Sequence, residues 1–251
     1  MGEMVMIGDA GDLPAYLAVP STPGPWPGVV VLHEIFGLDD AIRAHADRMA
    51  AMGYLALAPD LMAWGSRMQC IVAAFRSLRT GSGRAFDDIA RSRQWLLDDP
   101  RCAGDVGVIG FCLGGGFALA ILGEGYAVAA PNYGQLPRDL ERLEGACPVV
   151  ASYGGRDLSL PRAAEKLKTE LDARGIPNDV KEYAQAGHSF HNPSPANLGW
   201  WTVPVSRLLM RVGSDPVAAQ DSWARIEEFF GQYLPTGSPE DRGLPGGQAP
   251  S

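Results

Sequence analysis

Short apolar runs rich in Val, Ala and Leu recur along the chain at 13–19, 28–35, 54–59, 106–111, 128–133, 148–153 and 179–183. Their length and their Gly, Pro and Asn borders predict β-strands. Between them, apolar residues fall at helical spacing over 40–52, 85–97, 113–122, 161–174 and 218–234, and the second of these turns Phe86, Ile89, Ala90, Leu96 and Leu97 toward one side. Strands alternating with helices predict an α/β domain whose mostly parallel central sheet is covered by helices on both faces.

Three stretches fall outside that rhythm. Segment 62–83 has room for a short helix before Thr80-Gly81-Ser82-Gly83, and 192–215, with Trp200, Trp201 and Leu208-Leu209-Met210, is unusually apolar for a loop. Either is placed to wall or cover a pocket. From 235 to 251 the chain is dense in Pro, Gly and Ser with no apolar period. That composition predicts a disordered tail after a single domain over 1–234.

A formal charge of −8 supplies no basic field for nucleic acid or an anionic membrane. No apolar run approaches the ~18 residues of a membrane span, and Met1-Gly2-Glu3-Met4 lacks the basic and apolar regions of a signal peptide. The expectation is a cytoplasmic protein, monomeric by default, with no nucleic-acid, membrane or obligate protein partner. Its four cysteines, Cys70, Cys102, Cys112 and Cys147, lack metal-ligand spacing and would stay reduced there.

One of them stands in a distinctive setting. Val106-Gly107-Val108-Ile109-Gly110-Phe111-Cys112-Leu113-Gly114-Gly115 is a buried strand running through Gly-x-Cys-x-Gly into a helix. It reads as a nucleophile elbow with Cys in place of Ser, the mark of the α/β-hydrolase fold. Glycines are needed at 110 and 114 because the central residue sits on a tight turn that crowds strand against helix. At the start of that helix, backbone N–H groups and the positive dipole end favour thiolate over thiol. The competing reading makes Cys112 a small buried hydrophobe beside glycines that only aid packing.

Two later segments supply partners in the order acid then histidine, as this fold requires. Pro148 to Tyr153 reads as a strand, and Gly154-Gly155-Arg156-Asp157 delivers a carboxylate at its end, the edge where open α/β sheets bind ligands. Asp157 could equally cap the helix that begins near Pro161. Ala186-Gly187-His188-Ser189-Phe190 follows the last strand, so His188 is the candidate base and Asp157 the group that orients it. His191 is its rival, while His45 falls within a helical pattern as a surface or packing residue. After the strand at 28–35, backbone N–H groups of Ile35 and Leu113 are the candidate oxyanion hole. Glu34 is placed to hydrogen-bond the resting thiol, and His33 to pack behind it.

Taken together, His33-Glu34-Ile35-Phe36-Gly37-Leu38, Ala58-Pro59-Asp60-Leu61, Gly110-Phe111-Cys112-Leu113-Gly114-Gly115, Tyr153-Gly154-Gly155-Arg156-Asp157 and Ala186-Gly187-His188-Ser189-Phe190 resemble the dienelactone hydrolase (carboxymethylenebutenolidase) family. The resemblance implies a Cys112-His188-Asp157 triad, a Glu34 that controls when Cys112 becomes a thiolate, and opening of an ester or lactone through an acyl-enzyme without metal or organic cofactor. Members that take carboxylate-bearing lactones hold that carboxylate with arginines, one shortly after the triad histidine. Here His188 is followed by Ser189, Phe190, His191 and Asn192, and the upstream arginines Arg67, Arg76, Arg79 and Arg84 lie in a segment without clear alignment. Loss of a bidentate clamp favours a less charged or more hydrophobic ester. Two other readings remain open: an amidotransferase-like cysteine enzyme, and a non-catalytic ligand-binding or redox-sensing protein.

Overall fold

The computed structural model describes residues 2–8, 12–192 and 209–236. Its strands β1 (Glu3–Ile7), β2 (Leu13–Ala18), β3 (Trp26–Leu32), β4 (Leu55–Pro59), β5 (Cys102–Phe111), β6 (Ala129–Asn132), β7 (Val149–Gly154) and β8 (Asn178–Tyr183) form one sheet in the order β1-β2-β4-β3-β5-β6-β7-β8. The β1–β2 and β2–β4 pairs are antiparallel; β4–β3, β3–β5 and every pair onward to β8 are parallel.

Helices α1 (Asp40–Ala51) and α6 (Pro216–Tyr233) cover one face, and α2 (Arg67–Thr80), α3 (Arg84–Asp98), α4 (Leu113–Ala120) and α5 (Ala163–Ala173) the other. Alternation along the strands feeds both layers. Val29 and Val31 of β3 join Ile42, Met49, Trp223 and Phe230, whereas Val30 and Leu32 join Ile89, Leu96, Phe117 and Leu167. Burying each such aliphatic or aromatic side chain is worth about 1.5–3 kcal/mol. The two cores therefore hold the sheet rigid between them.

Two elements differ from the sequence expectation. Segment 62–83 is mostly a full helix, α2, started by a Ser66–Gln69 capping box and stopped at Gly81 with φ 72°. Its apolar Met68, Val72 and Phe75 are exposed while Cys70, Ala74 and Ser77 face inward, so the sequence shows no clean apolar stripe. Strand β1 is not among the predicted strands; its apolar run Met4-Val5-Met6-Ile7 lies at the sheet edge, with Met4 and Met6 exposed and only Ile7 buried. The remaining strands and α-helices fall within a few residues of their predicted spans. The expected tail lies almost wholly outside the described residues, as does most of 192–215.

Strand β3 is followed in sequence by β4 on one side and, after two helices, by β5 on the other. This reversal is a topological switch point, and sheets of this kind bind ligands beyond the carboxyl ends of the strands there, here β3 and β5.

Candidate active site

Cys112 stands alone between the last residue of β5 and the first of α4, with φ 53° and ψ −111°. That region of backbone space costs a non-glycine residue about 1–3 kcal/mol, so its surroundings must impose it. They do so through the Cys112 N–H, which donates to the Asn132 carbonyl at 3.1 Å, and the Cys112 carbonyl, which accepts from Gly116 at 3.0 Å. The flanking glycines leave no alternative: a Cβ on Gly110 would lie 2.2 Å from the Gly114 oxygen, and one on Gly114 would lie 2.3 Å from the Leu32 oxygen.

Strand β7 ends in the turn that carries Asp157, and the loop after β8 carries His188. The His188 Nδ1 and Asp157 Oδ2 are 2.6 Å apart, both side chains being buried. The other Asp157 oxygen accepts from the backbone N–H of Ser159 at 2.9 Å and from its hydroxyl at 2.5 Å. The carboxylate is thus fixed on both sides. Opposite Nδ1, His188 Nε2 faces Cys112 without a hydrogen bond of ordinary geometry. Burial opposes the imidazolium, but the negative charge of Cys112 and the hydrogen bond to Asp157 outweigh it and push His188 up to about 10. His191 instead meets Ser222 Oγ at 2.9 Å and stacks on Phe190, away from Asp157. Of the two rival histidines, His188 is the one joined to the acid.

The loop after β3 approaches from the other side. Gly114 N–H donates to the His33 carbonyl at 3.1 Å, joining this loop to α4. Neither Ile35 nor Leu113 uses its N–H in a backbone hydrogen bond among the described residues. His33 lies wholly buried behind them, its Nδ1 donating to the Glu34 carbonyl at 2.6 Å and its Nε2 accepting from Leu61 at 2.9 Å. It braces the end of β3 against the end of β4.

Glu34 is 3% exposed, and burial raises its carboxyl above the usual range against the opposing pull of His188, Ser189 and Asn192. Its Oε2 accepts from Asn192 Nδ2 at 3.0 Å. Three residues near it belong to no motif in the sequence. Tyr133, with φ 39° at the end of β6, sets its buried hydroxyl beside the Glu34 carboxyl and its ring 5.1 Å from that of His188. Burial, with Glu34 and Cys112 adding to it, drives this phenol well above its ordinary value. Asn192 and His45 complete the set. The pattern Asn132-Tyr133-Gly134 after an apolar strand was the available signal, since residues that end parallel strands face the crevice.

The upstream arginines separate by position. Arg67 donates to the Phe36 carbonyl at 3.2 Å and lies over the Phe36 ring, beside Ile35. Arg84 pairs with Asp12 and Asp88. Arg79 joins Arg138, Phe75 and Leu78 around a groove of about 180 Å³ along the flank of α4, and Arg76 is exposed. The charges acting most strongly on Glu34 are His188 and Asp39, neither of them an arginine or lysine. Among the described residues no group of three or more His, Cys, Asp or Glu side chains is arranged to hold a metal ion. No described helix is long and apolar enough to cross a membrane.

A parallel sheet of this order, with a strained residue between strand and helix and an acid and a histidine on the later loops, defines an α/β hydrolase. The chain belongs to the dienelactone hydrolase family, whose model matches residues 13–234. It is 29% identical over 247 residues to a carboxymethylenebutenolidase of Rhodococcus opacus, covering 89% of this chain and 88% of that one. It is 30% identical over 182 residues to the Pseudomonas putida carboxymethylenebutenolidase, covering 68% and 77%. Its fold is shared with m3DLH, at TM-score 0.75 and 24% identity over 93% of this chain and 98% of that one. A dienelactone hydrolase-like promiscuous phosphotriesterase from metagenomic libraries matches with TM-score 0.74 and 24% identity, over 94% and 99%.

Proposed function

We propose that this member of the family is a cysteine-dependent hydrolase that cleaves an ester or lactone through an acyl-enzyme. The observation that carries this reading is the 2.6 Å His188–Asp157 contact on one side of an imidazole whose other side faces Cys112. The Cys112 thiolate attacks the carbonyl carbon, and the oxygen takes up the displaced electron pair between the Ile35 and Leu113 N–H groups. Collapse of this intermediate expels the alkoxide, which takes its proton from His188. A water then loses a proton to His188 and attacks the thioester, releasing the acid and restoring Cys112. Asp157 keeps the imidazole in the tautomer and orientation this exchange needs.

The substrate class follows from charge. Position 192, four residues after His188, holds a neutral amide already engaged by Glu34, so an uncharged, hydrophobic ester or lactone suits the site better than one bearing a carboxylate there. Hydrolysis of p-nitrophenyl acetate by wild type and Cys112→Ala under reducing conditions, with intact-mass detection of an acyl adduct, tests the reading. Turnover and adduct are expected in the wild type and absent from the variant. Equal behaviour of the two proteins would remove Cys112 as the nucleophile.

A further inference from the structure

Glu34 is held from one direction by a chain of buried groups that reaches into another layer of the fold. Asn192 Nδ2 donates to Glu34 Oε2 at 3.0 Å, and Asn192 Oδ1 lies 3.4 Å from His45 Nε2 on α1. The polarity of this chain is dictated at its end. With Glu34 ionised, its oxygen accepts from the Asn192 NH2, which turns the amide oxygen toward His45 and places the His45 proton on Nε2. The remaining oxygen of Glu34, Oε1, has no hydrogen bond of ordinary geometry among the described residues. Asn192 thus gives that carboxyl a hydrogen bond of ordinary geometry, beside the nearby hydroxyls of Ser189 and Tyr133.

The place of His45 is otherwise hard to account for. Its ring stacks 4.3 Å from Phe111, the residue preceding Cys112, and lies 5.4 Å from Trp223. A phenylalanine would fill this aromatic box as well, and a buried imidazole is unfavourable there unless its N–H is used. Burial lowers His45 to about 4, so the ring is a neutral donor in the working protein.

We propose that Asn192 and His45 are positioning residues of the hydrolase reaction: His45 holds the Asn192 amide, and that amide holds the Glu34 carboxyl at the edge of the cysteine site. The inference rests on the proposed cysteine chemistry. It ties Glu34 to the loop that carries His188, so the acid and the base keep a fixed separation around Cys112. The ionisable groups facing Glu34 are His188 from the loop after β8, Asp39 before α1, and Tyr133 after β6, with Cys112 acting on both His188 and Tyr133.

The test uses His45→Phe, which keeps the stacked ring, and Asn192→Leu, which keeps the side-chain volume. Both are followed by the rate of Cys112 alkylation by iodoacetamide as a function of pH, by kcat and KM on p-nitrophenyl acetate, and by thermal midpoint. Each variant should shift the alkylation profile in the same sense and lower kcat roughly ten- to a hundredfold with little change in KM. His45→Phe should add nothing further in the Asn192→Leu background, because both act through one chain of contacts. Alkylation profiles that superimpose on wild type in folded variants, a loss confined to KM, or independent additive effects would overturn the inference. His45→Gln serves as the second variant at that position if the phenylalanine protein does not fold. Alkylation is read without turnover, so an absence of ester hydrolysis in the wild type would count against the proposed function while leaving the tether decided by its own readout.

Discussion

Asp157 divides its two oxygens between different partners, Oδ2 toward His188 Nδ1 and Oδ1 toward Ser159. Asparagine at this position would keep the Ser159 contacts yet present an N–H to the imidazole or rotate away, favouring the wrong tautomer for proton transfer. Asp157→Asn is expected to lower kcat on p-nitrophenyl acetate on the order of a hundredfold or more while leaving the thermal midpoint close to wild type. Retained activity would remove Asp157 from the catalytic set. Cys112, Asp157 and His188 could be singled out as candidates in the sequence because each follows a strand and all three lie within two residues of a glycine, which are local marks. Tyr133 had only its place at the end of an apolar strand, and Asn192 and His45 had no mark, because they form a chain to Glu34 from the loop after β8 and from α1, and nothing local in the sequence encodes that convergence. The neutral residue at 192 was visible as a missing arginine, but its bond to Glu34 was not.

At the scale of elements, the junction of β5 and α4 is the most demanding part of the fold. A Cβ at Gly110 would collide with backbone of Gly114 and Gly115, atoms that no rotamer change can move. Gly110→Ala should therefore destabilise the protein by about 3 kcal/mol or more, read as a fall in the urea midpoint with an unchanged slope. A midpoint equal to wild type would show that strand and helix have more room than these distances allow. The same junction was the clearest signal in the sequence, since glycines at 110 and 114 weaken a buried run unless a tight turn there requires them. Among the helices, α2 was the least legible. Its exposed Met68, Val72 and Phe75 reverse the usual amphipathic order, and only the Thr80-Gly81-Ser82-Gly83 stretch marked its end.

Across the whole molecule, the buried neutral imidazoles of His45 and His191 draw stability down in acid. Once unfolded, His45 takes up a proton near its ordinary 6.5, while in the folded protein burial withholds that proton down to about 4. Over this interval the unfolded chain binds more protons, so stability falls as pH drops from about 6.5 to about 4, by roughly 3 kcal/mol for this residue alone. His191, lowered further by burial, acts in the same direction. The urea midpoint of wild type should drop between about pH 7 and about pH 5, and His45→Phe should retain more of its stability over that range. An identical acid response in the two proteins would place the lost stability elsewhere. The layered sheet also carries a consequence for how this protein changes over generations. The Ile35 N–H lies in the loop after β3 and the Leu113 N–H in the first turn of α4, and the two segments are joined by the Gly114 bond to the His33 carbonyl, a contact made by backbone alone. Substitutions of side chains elsewhere in the sheet layers can therefore accumulate while the spacing of these two N–H groups is held by main chain alone.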